Sequence, residues 1–140
     1  MKVHQQYIQL KERKRGFHLI TAEIEQSFTE IKEFKKGICS VFIRHTSASL
    51  AVNEGADPTV RKDFETFFNK TVPEGDRDYI HNYEGDDDMP AHLKAAIIGS
   101  SVSIPITNGR LALGKWQGIY LCEHRDNGGS RNIVVTAIGE

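Results

Sequence analysis

Three short runs of β-branched and aromatic residues follow one another in the last third of the chain. They are SVSIPI at 101–106, GIYLCEH at 118–124 and NIVVTAI at 132–138. Short strands of this kind, separated by turn residues, are typical of antiparallel sheets. Residues 4–12 alternate in the manner of another strand, and residues 38–44 form a stronger one. Because each strand must bury an apolar side, this pattern predicts a sandwich of sheets.

Three other segments carry helical periodicity, at residues 21–31, 58–70 and 89–98. The second begins behind Asp57 as an N-cap, with Pro58 at the first helical position. Since strands are in the majority, the predicted fold class is α+β, an antiparallel β-sandwich-like core with two or three helices. We expect the phenylalanines to belong to the core; the apolar residues that line the helix faces are Ile24, Phe28, Ile31, Val60, Phe64, Phe67, Phe68, Leu93 and Ile97.

Composition narrows the class of protein. With 140 residues and no repeat or linker, we interpret residues 1–140 as a single domain. The net charge of −1 gives no sign of a nucleic-acid or anionic-membrane partner. No segment has the apolar length of a signal core or a membrane span. Cys39 and Cys122 lie in apolar runs, and we expect both to be small buried hydrophobes in a cytoplasmic protein.

A first polar cluster, HTSASLAVNEGAD at 45–57, follows directly on an apolar strand. Its hydroxyl groups are explained by a turn in which they satisfy free backbone groups. A turn does not explain His45, or the costly pair Asn53 and Glu54 inside an apolar run. We therefore interpret this cluster as the wall of a polar cavity with His45 at its rim.

A second polar cluster spans residues 76–92. It overlaps the segment 71–88, which fits neither a strand nor a helix and whose tyrosines argue for an ordered loop. The segment carries His81 and the acidic run Asp86 to Asp88, and His92 follows in the first turn of a predicted helix. The positive end of a helix disfavours imidazolium, so His92 suits a metal ligand or a general base. The acidic run is equally explained as a solvated face or a helix cap. Histidines and carboxylates from separate loops can converge on zinc or a similar divalent ion.

A third polar cluster, EHRDNGGSR at 123–131, lies between two strand-like runs. Asn-Gly-Gly is first of all a hairpin signal. The same turn presents backbone N–H groups beside Arg125 and Arg131, and such nests bind phosphate or carboxylate groups. Glu123 and His124, at the end of the preceding strand, could reach such a site. We expect Arg131→Ala to weaken phosphate binding and to leave folding intact.

Four longer motifs together cover nearly the whole chain. They are HTSASLAVNEGADPTVRKDFETFFNKTVP, YIHNYEGDDDMPAHLKAAIIGSS, NGRLALGKWQGIYLCEHR and GGSRNIVV. These motifs closely resemble the YjbQ-like family, described as secondary thiamine-phosphate synthases. The resemblance implies a sandwich-like domain that assembles as a homotrimer with polar pockets between subunits. It also implies a weak ability to join hydroxymethylpyrimidine diphosphate and thiazole phosphate into thiamine phosphate.

The resemblance also implies a set of site residues, which by motif position are His45, Thr46, Ser47, Asn53, Glu54, His81, Asp87, His92, Gln117, Glu123 and Arg131. Together with the polar clusters, it leads us to expect catalytic roles for His45, Glu54, Asp87, His92 and Glu123. The expected contacts to substrate or anion are Thr46, Ser47, Asn53, Gln117, Arg125 and Arg131. The expected ligands of a divalent metal, zinc or magnesium, are His45, His81 and His92.

Two functions from different classes remain open at this point. The first is an enzyme that acts on phosphorylated small molecules. The second is a trimeric metal- or anion-binding module without dedicated catalysis. The segment GKWQG at 114–118 bears on the choice, because Trp116 is either a core anchor or part of a subunit interface beside Gln117.

Overall fold

The computed structural model describes residues 1–140 and contains two antiparallel sheets. The larger sheet consists, in spatial order, of β1 (Lys2–Gln9), β8 (Asn132–Gly139), β3 (Lys36–Ile43), β5 (Ser101–Thr107) and β6 (Arg110–Leu111). The smaller sheet consists of β2 (Gly16–Leu19), β7 (Gln117–Glu123) and β4 (Ala48–Glu54). The predicted α+β class with antiparallel sheets is confirmed.

The main core lies between the two sheets and contains 19 buried residues. Every second side chain of a strand points inward, as the pleat requires. Ile133 and Val135 of β8 lie beside Val41 of β3 in the larger sheet, and Leu50 of β4 faces them from the smaller one. Burial of these side chains provides the main driving force for folding.

Strand β7 is buried on both of its faces. Ile119 and Leu121 belong to the main core, whereas Tyr120 and Cys122 form a second cluster with Phe17 on the other face. A strand covered on both sides needs a continuous apolar run, which explains the sequence GIYLC. The residues that follow β7 therefore emerge from the centre of the molecule.

Two of the helices cover the outer face of the smaller sheet, whereas the first helix, the 3₁₀ turn and the residue between them contribute Ile24, Ile31 and Phe28 to the main core. The helical elements are α1 (Thr21–Ser27), a 3₁₀ turn (Thr29–Glu33), α2 (Pro58–Thr71) and α3 (Asp88–Ile98). Helix α2 packs on β2 and α3 packs on β4. As predicted, the Asp57 side chain caps α2 by accepting the N–H of Thr59. The helix predicted at 21–31 is instead interrupted at Phe28, although its three apolar residues are all buried.

The helix faces differ from the predicted ones at two places. Phe64 and Phe68 pack half-buried against the second cluster, but Phe67 is 59% exposed, so the expectation that all these phenylalanines are core is wrong for Phe67. In α3 the side turned inward carries Lys94 rather than Ile97, which is 61% exposed. The buried Lys94 ammonium donates a hydrogen bond to the Asn69 side-chain oxygen, 2.8 Å away, and so has a polar partner.

Two strands fall where the local pattern predicts none. Strand β2 has only four residues, and β4 runs through the first polar cluster, whose hydroxyl groups we attribute to a turn. The turn is confined to the residues before β4, and Ser49 inside the strand is completely buried. The two cysteines are free and buried, as expected. None of the helices has the length and apolar character needed to cross a membrane.

Candidate functional site

Most of the polar side chains singled out above gather at one end of the smaller sheet. Strand β7 ends there at Glu123, next to the residues that precede β4 and the first turn of α3. Two backbone carbonyls join these elements. The carbonyl of Thr46 accepts the Nδ1–H of His92 at 2.9 Å, and that of Ser47 accepts from Arg131 Nη2 at 3.2 Å. Thr46 and Ser47 thus contribute through their backbones.

His81, Asp88 and His92 form a cluster, called here the HDH cluster, whose potential ligand atoms all lie within 4.8 Å of one another. The Oδ2 atom of Asp88 is 2.8 Å from His81 Nε2 and 3.2 Å from His92 Nε2. Asp88 and His92 are four residues apart in α3 and so lie on the same side of the helix. His81 reaches them from the loop before α3.

The backbone fixes the position of the proton on His92. A carbonyl oxygen can only accept, so Nδ1 must carry the proton that it shares with Thr46. In the neutral ring Nε2 is then a bare lone pair, and it faces the carboxylate oxygen of Asp88 at 3.2 Å. Two electron-rich atoms at this distance repel unless a proton or a metal cation lies between them. A carbonyl on the far nitrogen is also the contact that orients metal-binding histidines.

Arg125 holds the acidic side of the HDH cluster. Its Nη1 donates to Asp88 Oδ1 at 2.8 Å and its Nε donates to Asp87 Oδ2 at 3.1 Å. Asp87 also accepts the N–H of Asp126, and it makes no cap bond to α3. Burial alone would raise the pKa of both carboxyl groups, but hydrogen bonds and nearby positive charge lower the pKa of Asp87 and of Asp88. Both are therefore carboxylates held in fixed positions.

The donor set of the HDH cluster fits zinc better than magnesium. Two imidazole nitrogens and one carboxylate oxygen match catalytic zinc sites, which keep a further position open. Magnesium prefers oxygen ligands and retains its waters. Both α3 residues are also held from outside, Asp88 by Arg125 and His92 by Thr46. The residues that could hold a metal are thus His81, Asp88 and His92.

His45 does not join this cluster, although it is one of the three predicted metal ligands. Its Nε2 accepts the backbone N–H of Asn132 at 2.8 Å, so that lone pair is already used. Burial, and next the charge of Arg131, lower the pKa of His45 and keep the ring neutral. His45 and His92 nevertheless line the same open cavity of about 370 Å³.

Glu123 and Arg131 form a buried ion pair. Arg131 Nε donates to Glu123 Oε1 at 2.8 Å and Nη2 donates to Oε2 at 2.5 Å, with 4% and 1% of the two residues exposed. Gly128 lies directly above the pair, where a Cβ would come within 2.6 Å of both side chains. The guanidinium predicted to bind an anion is thus enclosed with a carboxylate, and Arg125 is likewise committed to acidic partners. The structure therefore assigns both arginines a structural role first.

His124 and Ser49 form a second buried polar pair, which the sequence pattern does not predict. The Ser49 hydroxyl lies 2.8 Å from His124 Nε2, and both residues are enclosed. Burial, followed by the charges of Lys94 and Arg131, lowers the pKa of His124 to about 3. The available signal is the continuous apolar run of β7, because a histidine that ends such a strand is still inside the protein. His124 is a neutral part of the interior.

The remaining predicted site residues lie at the opposite end of the smaller sheet. Asn53 Oδ1 accepts the N–H of Glu54, Glu54 Oε2 accepts that of Ala56, and Gln117 Oε1 accepts that of Gly114. Asn53 lies six positions after Ser47 along extended chain, a distance of about 20 Å. Within one chain Asn53 and Glu54 do not face the cavity of His45, which corrects the single-cavity interpretation.

The sequence does not single out Asp88 as a member of the HDH cluster. Asp88 belongs to the acidic run, which a solvated face or a cap explains equally well. The Asp-x-x-x-His spacing of Asp88 and His92 is the signal that could have indicated it, since residues four apart share a helix side.

Near Gln117, Trp116 is 57% exposed and is not a core anchor.

Comparisons of the sequence and of the fold with known proteins point to the same family. The family model described as "UPF0047 protein YjbQ-like" matches residues 6–140. The UPF0047 protein YjbQ of Salmonella typhimurium is 50% identical over 137 residues, which cover 98% of this chain and 99% of that protein. A YbjQ-like protein of Sulfolobus solfataricus P2 has a crystal structure that superposes with a TM-score of 0.86 at 29% identity, covering 99% of both chains. A yjbq/upf0047 family structure from Clostridium acetobutylicum gives 0.80 at 35% identity, covering 96% of this chain and 99% of that one.

The buried ion pair predicts that Arg131→Ala destabilises the protein, contrary to the expectation from sequence. The change leaves the Glu123 carboxylate buried without a partner, which costs about 3–5 kcal/mol. Urea unfolding should show this loss, whereas Arg110→Ala, at an exposed position of β6, should unfold like the wild type. An Arg131→Ala variant of wild-type stability would place the pair outside the folding core.

The buried His124 predicts that stability falls in mild acid. An unfolded histidine titrates near 6.5, but the folded ring resists protonation until pH is about 3, so only the unfolded chain gains a proton between these values. Stability should decrease as pH falls below 6.5, by up to about 1.4 kcal/mol per unit. His124→Gln keeps a partner for Ser49 and does not titrate. Its unfolding free energy should decrease less between pH 7 and pH 5; parallel curves for the two proteins would contradict this.

Proposed function

The chain belongs to the YjbQ-like UPF0047 family, and we propose that it is a metal-dependent enzyme that acts on phosphorylated small molecules. The proposed metal site is the HDH cluster. One observation carries the proposal: the lone pair of His92 Nε2 faces the Asp88 carboxylate at 3.2 Å, with His81 Nε2 on the same oxygen. These three groups lie close enough to share one divalent cation, which would also remove the repulsion between His92 Nε2 and the Asp88 carboxylate. We take zinc as the first choice for that ion and magnesium as the second.

Two cavities adjoin the HDH cluster and provide room for ligands. The first, about 200 Å³, is lined by His81 together with Arg77, which is exposed and not paired with an acid. The second, about 370 Å³, is lined by His92 and by the small side chains Ala95 and Ala96. Because Arg125 and Arg131 are paired with acids, Arg77 is the arginine best placed to hold a phosphate group.

The reaction that the family resemblance suggests joins hydroxymethylpyrimidine diphosphate and thiazole phosphate. The bond between the pyrimidine methylene carbon and the pyrophosphate oxygen breaks, and the thiazole nitrogen supplies the electron pair of the new C–N bond. A bound divalent cation would stabilise the charge of the departing pyrophosphate. Arg77 would hold phosphate oxygens, and the small apolar wall formed by Ala95 and Ala96 would shield the cationic carbon from water.

A second function is favoured by a separate observation. Both arginines predicted to bind an anion, Arg125 and Arg131, already have carboxylate partners. A phosphorylated substrate therefore loses two of its expected contacts, while the HDH cluster is unaffected. This favours a metal-binding module without dedicated catalysis as the alternative.

We also propose that the protein is a homotrimer, as the resemblance implies. The outward side of the larger sheet carries two apolar rows across β1, β8 and β3, separated by a polar row. Exposed apolar rows of this kind on one side of a sheet are typical of an interaction surface. The two rows are Val3, Ile138 and Ile38, and Tyr7, Val134 and Phe42.

A cytoplasmic location is proposed on the state of the cysteines. Cys39 and Cys122 are free and buried, and burial raises the pKa of the thiols to about 11 and about 12. Both thiols therefore stay protonated and enclosed without a disulfide. This is the usual condition in a reducing compartment.

The metal proposal predicts that the protein binds one zinc ion per chain and that His92→Ala loses most of this affinity. Changes in the outer contacts of a metal site cost about 10- to 100-fold, and removal of a ligand should cost at least as much. Competition with a chelating dye measures the affinity. The matched control is His18→Ala, because His18 bonds to the Lys14 carbonyl outside the HDH cluster. Equal zinc binding by His92→Ala and the wild type would exclude the site.

The wild type, the same control variant and one further variant separate the two functions. Zinc-loaded wild type and His18→Ala should form thiamine phosphate from the two precursors, and Asp88→Asn should not, because the carboxylate ligand is lost. Product can be followed by its fluorescence after oxidation. Zinc binding without turnover by the wild type would favour the binding module.

The trimer proposal predicts that Ile138→Glu dissociates the assembly. A carboxylate within the apolar rows would have to be buried without a partner on association. Light scattering at micromolar concentration should give the mass of three chains for the wild type and of one chain for the variant. Phe67→Glu, at an exposed apolar position on α2, should leave the trimer intact. A monomeric wild type would remove the proposal.

A further inference from the structure

The hydrogen bonding of His45 gives this residue a defined chemical role. A backbone N–H can only donate, so the Nε2 atom that accepts from Asn132 carries no proton. The proton of the neutral ring must then be on Nδ1. This nitrogen has no acceptor within the chain, which leaves His45 with one N–H available to a ligand.

The position of His45 places this donor next to the HDH cluster. His45 precedes Thr46, whose carbonyl takes the Nδ1–H of His92. His45 and His92 line the same open cavity, together with Ala48 and Ser100. The lining of this cavity thus includes a potential metal ligand, the ring of His45 and several small side chains.

We propose that His45 is a neutral hydrogen-bond donor, through Nδ1–H, to a phosphoryl oxygen of a ligand bound beside the HDH cluster. The inference rests on the proposed function, because it assumes a phosphorylated ligand at that cluster. In this role His45 contacts the bound phosphorylated molecule, whereas the sequence predicts that His45 coordinates a metal. A fixed donor of this kind sets the orientation of the anion.

The uncharged state of the His45 ring is part of this proposed role. If His45 became doubly protonated it would lose the bond from the Asn132 N–H and leave that donor unsatisfied inside the protein. The ring can therefore offer a donor without offering a charge. The negative charge of the ligand would be balanced elsewhere, by a cation in the HDH cluster, and His45 would select for an oxygen at a defined position.

Two isosteric variants distinguish a donor to ligand from a purely structural histidine. Asparagine places an N–H near the position of Nδ1, whereas glutamine places an acceptor near the position of Nε2 and can keep the bond from Asn132. The experiment measures the dissociation constant of inorganic phosphate by calorimetry on zinc-loaded wild type, His45→Gln and His45→Asn. Zinc content and melting temperature are recorded for each protein.

We expect His45→Gln to bind phosphate about 10- to 100-fold more weakly with unchanged zinc content, and His45→Asn to retain most of the wild-type affinity. Equal phosphate affinity in all three proteins, or no phosphate binding by the zinc-loaded wild type, overturns the inference. A wild type that binds no zinc overturns the proposed function instead, and with it the premise of the inference.

A direct measurement covers the case in which His45→Gln does not fold. The Nδ1–H resonance of His45 in zinc-loaded wild type should move downfield when phosphate is added, because a new acceptor deshields the proton. The N–H resonance of Asn132 should stay in place. A His45 resonance that does not respond to saturating phosphate overturns the inference.

Discussion

The burial of β7 on both faces is the constraint on which the polar end of this protein depends. The strand passes between the main core and the helix layer, so Glu123 and His124 begin inside the molecule. Groups that are polar at such a depth must find partners nearby. Arg131 returns to pair with Glu123, and Ser49 pairs with His124. The next residue along the chain, Arg125, then reaches the acidic residues at the start of α3.

Charge is distributed at this end in a way that favours a cation. Arg125 and Arg131 are paired with carboxylates. In the HDH cluster, two imidazole nitrogens and a carboxylate oxygen lie close together. Arg125 neutralises one oxygen of Asp88 and fixes the direction of the other. The arrangement resembles a metal centre whose outer contacts are already formed, and this is why a metal-dependent activity is preferred over an anion site built from arginine.

Local sequence pattern predicts most of the helices and strands, but it does not predict which residues the polar side chains bind. Periodicity and capping act over a few neighbours, so the start of α2 at Pro58 and most strands were predictable. The partner of a polar group depends on how distant segments meet. The Nε2 atom of His45 accepts a hydrogen bond from Asn132, 87 residues further along, and the HDH cluster contains Asp88 and not His45. Likewise the Asn-Gly-Gly signal predicts a hairpin, which is wrong, because β7 and β8 belong to different sheets; the turn between them instead folds Arg131 back onto Glu123.

Strand β8 has a consequence for how the protein is made. It follows β1 and β3 by a long stretch of chain, yet it lies between them and pairs with both along their length. On a ribosome, β1 and β3 have no common partner until residues 132–139 have been translated and have left the exit tunnel. Closing the larger sheet is then a late event that brings together residues at opposite ends of the chain, and such non-local pairings form slowly. Until β8 has emerged, the edges of β1 and β3 that it will cover are unpaired, and unpaired strand edges of this kind are where incompletely folded chains associate wrongly.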